Sequence, residues 1–172
     1  MTITIRTVAG TEAMALVPAL ADILAGCVNA GASVGFWKPM SAERAHAFWQ
    51  EVMAALEPQR RVLLVAEQAG RVVGTVQVVP APQQNQPHRG DITKMLVHPA
   101  AQGQGIGLQL LTAAETAARA IGLSLLILDT GAGTAGERLY TKGGWTRLGT
   151  IPRYALHDDL SPVDSVFFYK AL

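Results

Sequence analysis

The chain has a single cysteine, Cys27, in 172 residues. An intrachain disulfide and a cysteine cluster for zinc are therefore excluded, and Cys27 reads as a small core residue. Its four histidines, His46, His88, His98 and His157, are scattered and lack the His-Glu-x-x-His spacing of a metal-binding helix. No metal is expected, and His46 reads as structural or exposed. Charge is sparse too: 16% of residues are charged, the net charge is +1, and no basic run occurs. That pattern argues against nucleic acid or an anionic membrane as partner. No apolar stretch reaches the roughly 18 residues of a membrane-spanning helix, and the first residues lack a basic-then-apolar signal pattern. A cytoplasmic, metal-free protein is the expectation.

What is present is apolar: 49% of the chain, enough for a substantial core in one domain over residues 1–172. Thr2 to Thr7 alternates as a short strand. Pro18 suits a first helical turn, and Leu20, Ile23 or Leu24, and Cys27 then share a face before Gly31. Residues 31–37 form a loop carrying Phe36 and Trp37, which either plug the space between helices or wall a substrate pocket. Ser41 can cap a second helix with Ala45, Phe48 or Trp49, Val52 and Leu56 as its stripe; Pro58 marks its end. Val62 to Glu67 and Val72 to Val79 flank Gln68-Ala-Gly-Arg71 as a hairpin. From Pro80 to Gly90 the chain reads as an exposed loop.

The most informative stretch runs from Ile92 to Leu111. Ile92 to Val97 is a strand, closed by Pro99. Gln102-Gly-Gln-Gly-Ile-Gly107 is a glycine-rich turn, and Ile106, Leu110, Ala114, Ala117 and Ile121 then recur at helical spacing. The free N–H groups and positive dipole end of that helix form an anion site. It is not a P-loop, because no Lys followed by Ser or Thr comes after the glycines. Nor is it a dinucleotide fingerprint, because Leu108 stands where the third glycine belongs. Beyond it, Ser124 to Asp129 is strand-like, and Gly131 to Gly133 turns into a short helix with Leu139 and Tyr140. Trp145 to Thr150 and Ser165 to Lys170 close the sheet, joined by a loop holding Pro152, Tyr154 and Pro162. The reading is mixed α/β with a largely antiparallel sheet.

The pattern Gln/Arg-x-x-Gly-x-Gly/Ala, filled by Gln102, Gly105 and Gly107 after a strand ending Val-x-Pro, resembles the pyrophosphate loop of the GCN5-related N-acetyltransferases. Arg138-Leu-Tyr-Thr-Lys-Gly-Gly-Trp145 is similar to that family's Leu-Tyr-x-x-x-Gly-Phe signature, and the family order covers nearly the whole chain. More narrowly, Gly31-Ala-Ser-Val-Gly-Phe36, Lys94-Met-Leu-Val97 and Leu128-Asp-Thr130 resemble the tabtoxin-resistance branch, which acetylates a small amine on a β-lactam-containing amino-acid toxin. The resemblance implies a sheet splayed at its central strands with helices on both faces. It also implies acetyl-CoA as co-substrate.

Site residues follow from the same resemblance. Met95, Leu96 and Val97 face the pantetheine arm, with the Leu96 N–H polarising the thioester carbonyl. Gln102, Gly103, Gln104, Gly105, Ile106, Gly107 and Leu108 hold the pyrophosphate. Gln102 stands where many relatives have arginine, so attraction rests more on the helix terminus. Tyr140 matches the tyrosine that donates to the departing thiolate, its alternative being a core residue. Asp91 and Asp129 match two carboxylates thought to deprotonate the amine; a direct base needs a pKa raised from near 4. Asp91 paired to Arg89 or Lys94, and Asp129 capping a turn, are the alternatives. Gly133 replaces a pantetheine-contacting Asn, and Asp91 is one methylene shorter than the glutamate of the close branch. The expected activity is direct acetyl transfer to a small amine, with a homodimer compatible. A protein N-terminal acetyltransferase and a non-catalytic acetyl-CoA sensor are the alternatives.

Overall fold

A computed structural model describes residues 2–56 and 60–172. In chain order the elements are β1 (Ile3–Thr7), α1 (Val17–Asn29), α2 (Ala42–Ala54), β2 (Val62–Gln68), β3 (Arg71–Pro80) and β4 (Arg89–Val97). They continue with α3 (Ile106–Ala120), β5 (Leu125–Gly131), α4 (Ala135–Lys142), β6 (Thr146–Leu156) and β7 (Pro162–Ala171). The strands make one seven-stranded sheet in the order β1-β2-β3-β4-β5-β7-β6. Every neighbouring pair is antiparallel except β4 and β5.

Local chemistry sets the joints. Ala69 and Gly70 both take left-handed φ, 49° and 74°, as a two-residue turn between right-twisted strands requires. Pro18 lies in the first turn of α1, and the Ser41 hydroxyl accepts from the Arg44 N–H at 3.2 Å to start α2. The expected stop at Pro58 lies outside the described residues. Thr134 caps α4 by accepting from the Glu137 N–H at 3.4 Å, and Glu137 accepts from the Gly133 N–H at 2.7 Å. Two orphan donors at that helix start are thereby satisfied.

Strand alternation sends side chains to two faces. Leu64, Val76, Val78, Ile92, Leu126 and Phe168 pack against Ile106, Leu110, Leu111, Ala114 and Ala118 of α3. On the other face Leu63, Val65 and Leu96 meet Leu20, Ile23 and Leu24 of α1 and Ala45 and Trp49 of α2. Helices thus lie on both faces. Coverage on the α1–α2 side stops at β4, however. On that side Ile127 and Phe167 are only half-buried and Tyr169 is exposed. This uncovered stretch of sheet beside two helices is where a ligand can settle.

Three local expectations are corrected. First, β4 begins at Arg89, not Ile92. A side chain at Gly90 would meet Leu123 Cδ1 at 2.7 Å and Val79 O at 3.2 Å, so the segment is packed ladder rather than loop. Second, the α3 stripe runs through Ala117 and Ala118 but does not reach Ile121. The helix ends at Ala120, which leaves Ile121 exposed in the turn while Leu123 fills the core. Third, Pro152 and Tyr154 lie within β6 and Pro162 opens β7. An edge strand tolerates Pro152, and the register shift between Ile151 and Ala155, with Arg153 at φ 56°, accommodates it.

Candidate active site

β4 and β5 pair for only three residues, Arg89 with Leu125, Gly90 with Leu126 and Asp91 with Ile127. Beyond Asp91 the strands part. The cause is visible in β4: Thr75 of β3 pairs with Leu96 and Gln77 with Thr93, so Lys94 and Met95 together oppose Val76. Lys94 takes φ 47° to make this bulge. A bulge bends its strand and adds twist, which turns the second half of β4 away from β5. From Ile92 to Val97, including Met95, Leu96 and Val97, the edge facing β5 has no ladder partner.

The cleft runs out to the glycine-rich turn. Gly103 and Gly105 have φ of 78° and 77°, and a Cβ on either would meet nothing within 4 Å. Their lack of side chains serves conformation and leaves open space. Gly107 differs: it is helical, and a Cβ there would meet Leu139 Cδ2 of α4 at 3.2 Å. The Gln109 N–H is the first to bond back, to Gly105 O at 3.3 Å. The N–H groups of Ile106, Gly107 and Leu108 therefore have no acceptor within the helix and lie at the positive end of the α3 dipole. Both glutamines brace the turn. Gln102 Nε2 donates to Val97 O at 3.0 Å, and Gln104 Oε1 accepts from Gln68 Nε2 at 2.8 Å. Cys27 Sγ also donates to Val97 O, at 3.2 Å; burial pushes this thiol up to about 11.

On the α1–α2 side of the parting point stand the two aspartates. Asp129 is exposed and accepts from Ser165 Oγ at 2.8 Å. Asp91 is half-buried and paired with Arg89 at 3.2 Å, one of the alternatives the sequence left open. Burial raises the Asp91 pKa; Arg89 opposes this and the Asp129 charge adds to it. Phe36 and Trp37 sit in different surroundings. Phe36 packs edge-on against Phe48, with ring centroids 5.2 Å apart. Trp37 remains exposed and its Nε1 donates to Leu156 O of β6 at 3.1 Å, so this loop reaches across the open side.

Tyr140 lies on the opposite face, buried against Trp145 and Phe168 at centroid distances of 6.1 and 5.8 Å. Burial raises its phenol pKa, and the Asp129 charge adds to the rise; at neutral pH the group is a hydrogen-bond donor. Gly133, in the place of the family's asparagine, offers its carbonyl to Arg138 at 3.2 Å. Three polar groups on the α1–α2 face were not singled out in the sequence: Lys94, Arg61 and Gln77. A lysine inside an apolar strand run was the available signal for Lys94. A groove of about 420 Å³ along α4, lined by Gly133, Thr134, Arg138 and Lys142 among others, also went unforeseen.

A sheet parted at its centre, with a glycine turn feeding a helix N-terminus at the mouth, defines a class of protein that draws an extended, phosphate-ended ligand between two strands. Residues 27–145 match the acetyltransferase (GNAT) family, and the chain belongs to it. An uncharacterized N-acetyltransferase from the hisH-hisA intergenic region of Azospirillum brasilense is 32% identical over 112 residues. The match covers 64% of this chain and 65% of that relative, just under two thirds of its length. Ribosomal-protein-alanine N-acetyltransferase from Brucella melitensis is 25% identical, with 98% and 99% of the two chains covered and a TM-score of 0.77. The yncA protein of Salmonella typhimurium, solved with acetyl-CoA, shares the fold at 21% identity, coverage of 100% and 95%, and a TM-score of 0.76.

Proposed function

We propose that the chain transfers an acetyl group from acetyl-CoA to the amine of a small, amino-acid-like acceptor, by direct attack within a ternary complex. The observation that carries this is the parting of β4 from β5 beyond Asp91. It leaves a strand edge free along one wall and free helix N–H groups at the mouth. The group fits: Gly103 and Gly105 leave open space beside those N–H groups. Acetyl-CoA supplies an activated acyl thioester.

The residues of the chain then divide the work. N–H groups from Gly103 to Leu108 hold the pyrophosphate, while Arg138 and Lys142 in the α4 groove suit the nucleotide end. The edge of Met95, Leu96 and Val97 aligns the arm, and the Leu96 N–H polarises the carbonyl as charge builds on oxygen. Tyr140, neutral at pH 7, donates to the departing sulfur. Asp129 draws in the acceptor amine and takes its proton directly or through water; Asp91, its pKa raised by burial, is the second carboxylate of that pair. Phe36 and Trp37 wall the pocket. Such a pocket suits a toxin of the tabtoxin type encountered in the cytoplasm. Exposed Leu148, Ile151 and Leu156 on β6 suit a second copy of the chain.

The test is thiol release from acetyl-CoA against a panel of small amines, amino acids and amino-acid toxins, with acetyl-CoA binding measured in parallel by calorimetry. Amine-dependent release supports the proposal. Binding without release on any amine would point to a sensor, and no binding would overturn the reading of the cleft.

A further inference from the structure

On the face of the sheet beside α2, cationic and amide donors gather. Lys94 Nζ donates to Val34 O at 3.0 Å and lies 5.4 Å from the Phe36 ring centroid and 5.6 Å from that of Phe48. Arg61 donates from Nη1 to Gln77 Oε1. Among the described residues, no carboxylate lies within ion-pairing distance of Lys94 or Arg61. Gln77 is fully buried, and its Nε2 has no partner. Its amide cannot be turned over to cure this, because Oε1 is already held by the guanidinium. In the ladder Gln77 is paired with Thr93, the residue before Lys94.

Half-buried cations are costly unless an anion meets them. Burial lowers the Lys94 pKa and the charge of Arg61 lowers it further, while Asp129 opposes both. The two cations therefore feel each other, and Lys94 feels the carboxylate assigned to the amine. The same face is thus dipolar: Asp91 and Asp129 at one end, Lys94, Arg61 and Gln77 at the other. Arg89, the nearest further cation on β4, is spoken for by Asp91.

We infer that Lys94 and Arg61, the latter fixed by Gln77 Oε1, form the subsite for a carboxylate on the acetyl acceptor, so that the acceptor is a zwitterion held at both ends. This rests on the acetyl-transfer reading above and deepens it, naming the groups that select an amino acid over a simple amine.

The experiment compares free amino acids with their α-carboxamides as acceptors, in the wild type, Lys94→Met and Arg61→Met, with thermal melts to check folding. In the wild type, carboxamides fall at least tenfold in kcat/KM, the loss lying in KM. Lys94→Met shrinks that carboxylate-to-carboxamide ratio at least fivefold, and Arg61→Met shrinks it in the same direction. A merely structural role would depress both acceptors and leave the ratio untouched, as would a wild type indifferent to the carboxylate; either result overturns the subsite. If no acceptor is turned over, the acetyl-transfer reading fails by itself, and calorimetry of the same free amino acids decides the subsite. Binding that is lost in Lys94→Met sustains it, and absence of binding ends it.

Discussion

Ser165 Oγ on β7 donates a hydrogen bond to Asp129 Oδ2 on β5 at 2.8 Å, and the same hydroxyl lies 3.2 Å from Thr130 O. The buried serine thus fixes one carboxylate oxygen of an exposed aspartate. Asp129→Asn is expected to lower kcat/KM for the acceptor at least tenfold, roughly 1.4 kcal/mol of lost transition-state stabilisation. Ser165→Ala keeps the charge and loosens its aim, so a smaller loss of about two- to fivefold is expected. Steady-state kinetics on both variants checks the order. A larger loss in Ser165→Ala would mean that the serine, not the aspartate, touches the acceptor.

Tyr140 offers a cleaner separation of packing from chemistry. Phenylalanine retains the ring against Trp145 and Phe168, so Tyr140→Phe should melt close to the wild type. If the hydroxyl protonates the departing sulfur, kcat falls by about tenfold or more while calorimetric affinity for acetyl-CoA stays the same. An unchanged kcat would leave Tyr140 as a core residue alone.

At the mouth of the cleft, Gln102 uses its amide to hold Val97 O and brings no charge to the loop. Gln102→Arg places a cation beside the α3 N-terminus, where an anion would dock. Acetyl-CoA affinity should rise by about two- to fivefold at low salt, corresponding to roughly 0.3–1 kcal/mol. The gain should vanish near molar salt. Weaker binding instead would show that bracing β4 matters more than charge.

The helical stripe, the hairpin turn and the glycine loop were legible because each is written in residues close in sequence. Ala69-Gly70 and Gly103 to Gly105 announce left-handed backbone, and Ser41 announces a cap. The splayed sheet was legible only through resemblance. Its physical origin, the bulge at Lys94, depends on the register of β3 against β4, which no local pattern encodes. For the same reason Gln77 and Arg61 could not be placed beside Lys94 from sequence: they come from two different strands and the residue before a third. Pro152 misled in the opposite sense. It forbids a central strand, but β6 is an edge, and that is known only once the strand order is.

Glu115 of α3 ties the two ends of the fold together. Its carboxylate, almost wholly buried, accepts from Trp145 Nε1 and from Lys170 Nζ, each at 2.9 Å, and Lys170 also donates to Gly143 O at 2.8 Å. Glu115→Ala strips the ammonium of its counter-charge in a low-dielectric setting. A loss of about 3 kcal/mol is expected, lowering Tm by roughly 6–12 °C. Replacing both partners in Glu115→Met/Lys170→Met should cost less than Glu115→Ala, because no charge is then left stranded. Calorimetric melts of the two variants beside the wild type test the sign of that coupling.

Cys27 supplies a pH test of the core. Burial raises its thiol from 9.0 to about 11, with the Val97 backbone opposing the shift. Two consequences have fixed sign. At pH 8 the folded thiol carries about a hundredfold less thiolate than an unfolded one, so a thiol reagent should label it slowly until denaturant is added. Between pH 9 and 11 the folded state binds more protons at this group than the unfolded state does. Its contribution is therefore fully present below pH 9 and is lost as pH rises through 11. Cys27→Ser removes that titration, so the stability gap between wild type and variant should narrow as urea unfolding is moved from pH 8 to pH 10.5. Rapid labelling of the native protein at pH 8 would place the thiol at the surface and contradict its packing beneath the end of β4.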